Sequence, residues 1–492
     1  MSQIIRISRY RQTTLLIAGC CALLAGLGTA RVLPPVSGII AAGCAVAALG
    51  LYRPKNELTL VAVLLLGFMI GWWRGGIVFE QLKRYDDFKG QTVTVLVTAE
   101  TDSAYDKKLQ ISFMGSDVQV VAPYSQPLVG KITAGGFGER MIYRGDRVQV
   151  TGRFYMTRGS KVASISFGEL TTIKRSTSKI NAFQRRFAAG MQNALPEPQA
   201  SFAMGLLIGS KSGLDADTTA TLSAIGLTHI IAVSGYNLTI IIRAMRKILG
   251  RFSKYQMLIA SGMLIIGFLA ITGLGASIVR ASIVSGLSLL GWYYGRPVRP
   301  LLLILFTAAI TALWNPLYVW SDIGWYLSFL AFAGVMIAAP LIQSRMTRGR
   351  EPKLVAAIVF ESLAAQLMTL PFILYIFGYS SLISLPANVL VVPLIPLAMA
   401  ISFLAGMAGM IIPELAGWFS WPGRLLLTYI LDVATLLERV PHMRLVGSLN
   451  IWHVIGLYCS GIFCLRAIWK KTASHANITE VDTQQLPNYK GA

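Results

Sequence analysis

Long apolar runs set the limits on what this chain can become. Residues 13–30, 36–52, 58–73, 255–272, 300–314, 324–341, 354–377 and 450–468 each carry at most one charged side chain. The hydrocarbon core of a bilayer is about 30 Å thick and takes about 20 helical residues to cross. It offers no hydrogen-bond partners, so a lipid-exposed backbone must satisfy itself as a helix or a closed barrel. Composition agrees: the chain is 54% hydrophobic and 13% charged, about half the charged share of an ordinary soluble domain. These runs predict a polytopic α-helical membrane protein.

Lys and Arg gather on the cytoplasmic side of membrane spans. Arg6, Arg9 and Arg11 place the N-terminus in the cytoplasm, and Arg53 and Lys55 place the second short loop there. Residues 1–75 then read as three membrane helices, and 76–178 as lying outside the cytoplasm. "RAMRKILGRFSK" (243–254), "RPVRP" (296–300) and "SRMTRGREPK" (344–353) mark later cytoplasmic turns, with 224–242 and 276–294 as inward-going spans. This placement explains much of the formal charge of +22. A polyanionic substrate would also favour a basic protein.

The outer region alternates apolar and polar residues in "TVTVLVTAE" (92–100), "LQISFMG" (109–115), "RVQVTGRFY" (147–155) and "ASISFGEL" (163–170). Period-two alternation between glycine turns predicts half-buried strands. About five strands in so short a stretch predict a small Greek-key barrel of the OB-fold type. The fold class is therefore an α-helical bundle with an inserted, extracytoplasmic all-β domain. OB-folds hold single strands with basic and aromatic side chains. Arg144, Arg147, Arg153, Tyr155, Arg158 and Lys161 are the candidates for such contact, against the plainer reading of ordinary surface residues. Residues 179–222, with "INAFQRRFAAGMQNAL", predict amphipathic helices at the membrane surface or packed on the barrel. Residues 223–471 form the main bundle, and 472–492 a disordered cytoplasmic tail. Pro386, Pro393 and Pro396 predict a broken, kinked or re-entrant helix.

Polar groups interrupt the apolar runs. In "THIIAVSGYNLTIII" (228–242), Asn237 and Ser234 fall about 80° and 140° around a helix from His229, on one side. They either bond neighbouring helices or line a polar path, with Gly235 permitting a close approach or a break. Arg280 lies in "GLGASIVRASIVSGLSLLGW" among small residues. An intramembrane cation faces a bundle interior or an aqueous cavity, unless it snorkels to headgroups. Asp322, Ser328, Glu361, Gln366 and Asn388 also enter apolar stretches. The five cysteines and four histidines match no metal-ligand spacing, and "GLLIGSKS" lacks the phosphate-loop spacing. No catalytic residue, metal or cofactor is expected.

Several separated segments, taken in order, resemble the ComEC family of natural transformation. "GLLIGSKSGL" (205–214) is similar to its "LLLGDRSGL" segment and "GLTHIIAVSGYNL" (226–238) to its "GxxHLLAISGLH" signature. "SIVRAS" (277–282) is similar to its S-x-x-R-A element and "SFLAFAG" (328–334) to "LSFLAVAG". Residues 364–397 resemble the region ending in N-x-x-x-x-P. Asn237 stands where the signature has a second histidine, and the metallo-β-lactamase-like domain of larger members has no counterpart motif. The resemblance implies an inner-membrane channel, not an enzyme, passing single-stranded DNA to the cytoplasm. His229, Ser234, Gly235, Asn237, Arg280, Gln366 and Asn388 would line or brace the path. Membrane lipids, a separate nuclease, a DNA-receptor protein and a cytoplasmic helicase or translocase are the implied partners. A transporter of small anionic solutes, or a membrane scaffold with an outer binding module, are the competing readings.

Overall fold

The computed structural model describes residues 12–38, 43, 57–105, 110–157, 161–210, 213–231, 238, 242, 245, 253–273, 275–296, 298–347, 354–440 and 444–473. Among them, seven helices are long and apolar enough to cross a membrane: Gln12–Thr29, Glu57–Phe88, Lys254–Thr272, Ile323–Met346, Val355–Phe377, Ser384–Ile411 and Ile451–Trp469. Gln199–Ile208 and Pro300–Trp314 are apolar but shorter. The chain is a polytopic membrane protein with a β domain, as its apolar runs and alternating segments predict. Almost all of the expected span 36–52 lies outside the described residues. Ala276–Tyr293 has 18 residues, but its serines, glycines and Arg280 dilute its hydropathy and it is not among the seven. Two compact units share the chain: Met1–Ser176 with Leu301–Tyr326, and Thr177–Pro300 with Leu327–Ala492.

In the first unit, helices α1 (Gln12–Thr29) and α2 (Glu57–Lys83) touch backbone to backbone. Gly67, Gly71 and Gly75 recur every fourth residue and so share one face. A Cβ on Gly71 would sit 2.2 Å from the Leu23 carbonyl oxygen, and one on Gly26 would sit 2.1 Å from that of Phe68. Small residues permit this approach where lipid supplies no hydrophobic drive. Gly75 faces Ala30, so the Gly75–Gly76 pair serves contact rather than a turn. The helix accordingly runs on to Lys83, past the expected boundary at 75.

The β domain follows: β1 (Thr92–Ala99), β2 (Ala104–Tyr105), β3 (Ile111–Ala122), β4 (Gln126–Leu128), β5 (Ile132–Phe137), β6 (Arg147–Met156) and β7 (Ala163–Lys174). β1 pairs with both β3 and β6, so β1–β3–β5–β7–β6 close into a ring. Within that ring β5 and β7 run parallel and the other pairs antiparallel. This is the strand order of an OB-fold barrel. Val95, Val97, Ile132, Val148, Val150, Phe154 and Ile165 point inward and are fully buried, each contributing about 1.5–3 kcal/mol. Tyr85 and Phe88 both set their rings against Phe154, the first tilted and the second edge-on, and Leu317 belongs to the same core. Asp146, also fully buried, accepts hydrogen bonds from Tyr143 N (3.0 Å), Ser176 N (2.8 Å) and Arg175 Nη1 (2.7 Å). It ties the turn before β6 to the chain leaving β7.

The second unit contains α3 (Lys179–Ala194), α4 (Lys254–Thr272), α5 (Ala276–Tyr293), α6 (Leu354–Phe377), α7 (Ser384–Val391), α8 (Ile395–Ile411), α9 (Pro413–Glu438) and α10 (Ile451–Ala473). The apolar side of α3 packs on α8. Phe187 meets Phe403, and a Cβ on Gly409 would lie 1.9 Å from the Gly190 carbonyl oxygen. Phe202, Leu206, Leu222 and Leu227 join the same core as Ala387, Val391, Leu427 and Ile430. The three prolines bend rather than end their helix. α7, a 3-10 turn (Val392–Leu394) and α8 form one continuous apolar run, Ser384–Ile411. Each proline sits in a first helical turn or in the 3-10 turn, where its missing N–H costs least.

Candidate functional site

Arg280 stands one turn into α5, whose N-cap is Gly275. It is 5% exposed, buried within the second unit rather than stretched along its surface. Its guanidinium carbon lies 5.6 Å from the centre of the Phe329 ring. A cation over a ring face contributes about 2 kcal/mol when desolvated. Small residues surround it in sequence, and Ser282 is itself buried. The hydroxyls of Ser282 and of Ser261 on α4 are buried with no hydrogen-bond partner among the described residues. α4 and α5 meet through Ile265, Phe268, Leu289 and Trp292, and Leu238 and Ile242 belong to this core. The end of the "THIIAVSGYNLTIII" segment is therefore placed beside the helix of Arg280. Ser234, Gly235 and Asn237 lie outside the described residues.

A second polar group gathers His229, Gln366 and Asn388. The His229 Nδ1 is 3.0 Å from the Gly226 carbonyl oxygen. Since a carbonyl only accepts, Nδ1 carries the proton and Nε2 is left as an acceptor in the neutral ring. The ring is exposed. Gly226 has φ 77°, and a Cβ there would lie 2.7 Å from that of Ser384, so only glycine fits. Ser384 Oγ and Gln366 Nε2 both donate to the Ser381 carbonyl oxygen, at 3.0 and 3.2 Å. Asn388 follows Ser384 by one turn of α7. Its Oδ1 is buried without a partner among the described residues, as is the Ser381 hydroxyl. Ser381 itself ends a short strand (Tyr379–Ser381) paired with Arg444–Val446. Gly226, Ser381 and Ser384 are members of this group that composition did not single out. The glycine two residues past a helix end was their one signal in the sequence.

The other polar residues have separate settings. Asp322 accepts from Trp325 N at 3.0 Å and caps the helix Ile323–Ala333. Glu361 is half-buried on α6.

The barrel candidates divide by face. Arg147, Arg153 and Tyr155 alternate with buried Val148, Val150 and Phe154, so all three project outward from β6. Arg153 Nε donates to the Gly90 carbonyl oxygen at 3.0 Å, and its guanidinium lies 5.8 Å from the Tyr155 ring centre. Arg147 Nη2 reaches Gln119 Oε1 at 3.5 Å. Arg144 lies in the turn before β6, and its backbone N–H donates to Asp102 Oδ1 at 2.8 Å. Burial lowers its proton affinity, with the charges of Asp102 and Glu100 opposing that shift. Lys161 lies in the β6–β7 loop, and its carbonyl accepts from Thr157 Oγ1 at 2.9 Å. Arg158 is outside the described residues. The basic side chains thus favour the β1–β6–β7 side. OB-folds more often bind across their second and third strands, which are β3 and β5 here, where the outward residues include Ser112, Met114, Ser116 and Thr133.

Among the described residues, no three His, Cys, Asp or Glu side chains converge as a metal site. The family model described as "Competence protein" matches residues 206–471, more than half of the chain. The chain is 25% identical over 275 residues to ComE operon protein 3 of Bacillus subtilis (strain 168), covering 54% of this chain and 34% of that protein. It therefore spans about a third of that relative's length. No solved structure matches. The match begins at α-helical residue Leu206 and runs through Arg280, the Gln366–Asn388 group and α10, so this chain belongs to the competence protein family.

Proposed function

We propose that this chain is an inner-membrane conduit that passes single-stranded DNA into the cytoplasm during natural transformation. The observation that carries the reading is Arg280, a cation buried in a small-residue helix inside the family-matched region. A strand of DNA brings a phosphate charge with every nucleotide. Passage needs contacts that offset phosphate desolvation yet stay weak and distributed enough to release it. Arg280, the buried serine hydroxyls and the His229–Gln366–Asn388 group supply donors and acceptors of that kind. The N-terminus is cytoplasmic in this reading, and the barrel faces outward, where an incoming strand arrives. A surface DNA receptor, a nuclease and a cytoplasmic helicase or translocase would be separate partners.

A buried cation also suits small anionic solutes, so the test has two arms. The Arg280→Ala variant, at wild-type abundance, loses transformants by about 10- to 100-fold, the loss expected for a charge-assisted contact. Labelled DNA still binds at the cell surface but does not enter. Arg280→Lys retains part of the activity. Undiminished transformation with Arg280→Ala sinks the reading. Loss of inorganic phosphate or nucleoside monophosphate uptake, with DNA entry intact, favours the solute transporter.

A further inference from the structure

Among the described residues of the barrel, two non-glycine positions, Asp117 and Phe167, have a positive φ, and the second carries an exposed ring. Phe167 has φ 57°, a backbone region that bulky L residues rarely adopt. It sits at a bulge in β7, where register slips against both β5 and β6. The bulge lets Ser166 and Phe167 both leave the core side. The conformation is held from beneath. Phe167 N donates at 2.9 Å to Oε1 of Gln110, a side chain 3% exposed. Gly136 and Gly168 press together beside it, since a Cβ on Gly136 would lie 1.8 Å from the Gly168 carbonyl oxygen. What these contacts achieve is to hold a 59%-exposed ring beside a 51%-exposed one, Phe137. Their centres are 6.4 Å apart and their planes tilted by 36°.

On the other side of β7, Ser166 pairs with Arg153 and Ser164 with Tyr155. The stripe across three strands therefore runs Tyr155 and Arg153 on β6, Phe167 on β7, Phe137 on β5. With strands about 4.8 Å apart it is about 10 Å wide. Rings alternate with a positioned guanidinium, and serine hydroxyls lie between them. Arg147, Arg153 and Lys174 on this side outnumber Glu169. Flat rings with interleaved cations complement a flexible polyanion whose bases have exposed faces.

We propose that the β6–β7–β5 face is a single-stranded DNA platform, with bases stacking on Phe167 and Phe137 and phosphates held by Arg153. This rests on the DNA reading above and names the barrel surface that serves it. The experiment uses the full chain in lipid nanodiscs with fluorescent oligothymidylate, read by anisotropy across salt concentrations. The Phe167→Gly variant removes the ring and relieves the strained φ, so stability holds or rises while affinity falls. Phe137→Ser and Phe167→Gly each weaken binding by about 5- to 100-fold, the range of one lost base stack, with the salt slope unchanged. Arg153→Gln lowers the salt slope by about one phosphate contact. Oligonucleotides bearing 5-bromodeoxyuridine cross-link to the segment 163–174. Wild-type affinity in the double Phe variant overturns the proposal, as do cross-links that all fall elsewhere. Either result leaves the Arg280 uptake test intact, so the platform and the conduit fail separately.

Discussion

The barrel and the bundle bury their apolar side chains to very different degrees. Val95, Val148 and Ile165 are fully shielded inside the barrel. In the bundle, Met263, Ile266, Leu404 and Phe463 stand 64–73% exposed on helices just as regular. The barrel is built for water, where each buried aliphatic side chain adds about 1.5–3 kcal/mol. The bundle helices are built for lipid, where an outward Leu loses nothing, so their contacts concentrate where small residues let backbones meet. Gly409 against Gly190 and Gly334 against Ala364 are such points. Stability in the barrel is spread over one enclosed core; the bundle adds to its own core around Phe202 and Leu427 a set of close backbone contacts at residues without side chains.

The sharpest way to break that contrast is a barrel change that leaves the bundle alone. Gly136→Val drives a side chain into the Gly168 carbonyl, 1.8 Å from the first added atom. Backbone cannot yield as a flexible side chain would, and the expected cost is about 4 kcal/mol or more. Hydrogen exchange should rise through β1–β7 while the amides of Leu354–Phe377 keep their protection. Equal loss in both places would mean the two units do not unfold separately, and the contrast would fall. A middle-sized effect is expected from Gly409→Leu, which wedges α3 away from α8 and costs about 2–3 kcal/mol. Thermal unfolding in nanodiscs measures it. A wild-type midpoint would show that the glycine contact contributes nothing to the bundle.

The same contrast explains what could be read in advance. Period-two alternation located β1, β3, β6 and β7, because water forces every second residue inside, but the bulge that turns Phe167 outward in β7 breaks that period. Six of the seven long apolar helices were legible from length alone, while the prolines of Ser384–Ile411 read as a break. The partners of those spans were not, because a lipid-facing Leu and a helix-facing Leu look the same in a sequence. Gly75–Gly76 illustrates the limit: as a local signal it ends a helix, and only the approach of Ala30 makes it part of one. At the candidate site, Arg280 announced itself by its charge, and its burial agrees with a bundle-facing residue. The segments of His229 and Gln366 are joined by the close approach of Gly226 to Ser384, with hydrogen bonds to local backbone carbonyls on either side, and no side-chain pattern records such an approach. The proposed platform is a third case. Phe167 read as one strand residue among many and Phe137 fell outside the alternating segments, and the bulge beside them depends on register.

The smallest expected effect tests whether soluble-protein rules still hold within the bundle unit. Asp215 is the N-cap of the helix Ala216–Ala224, and its Oδ2 accepts from Thr218 N at 2.9 Å. Burial pushes its pKa up, but hydrogen bonds from Thr218 outweigh burial and hold it below the ordinary carboxylate value. A carboxyl depressed in the folded state stabilises fully above its unfolded pKa of about 3.9, and that contribution is lost as pH falls through the lower folded value. Asp215→Ala should therefore cost about 1 kcal/mol near neutrality, the usual value of a lost cap. The gap from wild type should shrink in acid, and Asp215→Asn, which caps without ionising, should show little gap at pH 7. Hydrogen exchange at 216–219 reports the cap directly. If Asp215→Ala leaves those amides protected, the helix is held by its packing alone, as the glycine-contact helices of the bundle are. If they open, local capping acts in this unit as it does in water, and the difference between the two units lies in their cores rather than their helix ends.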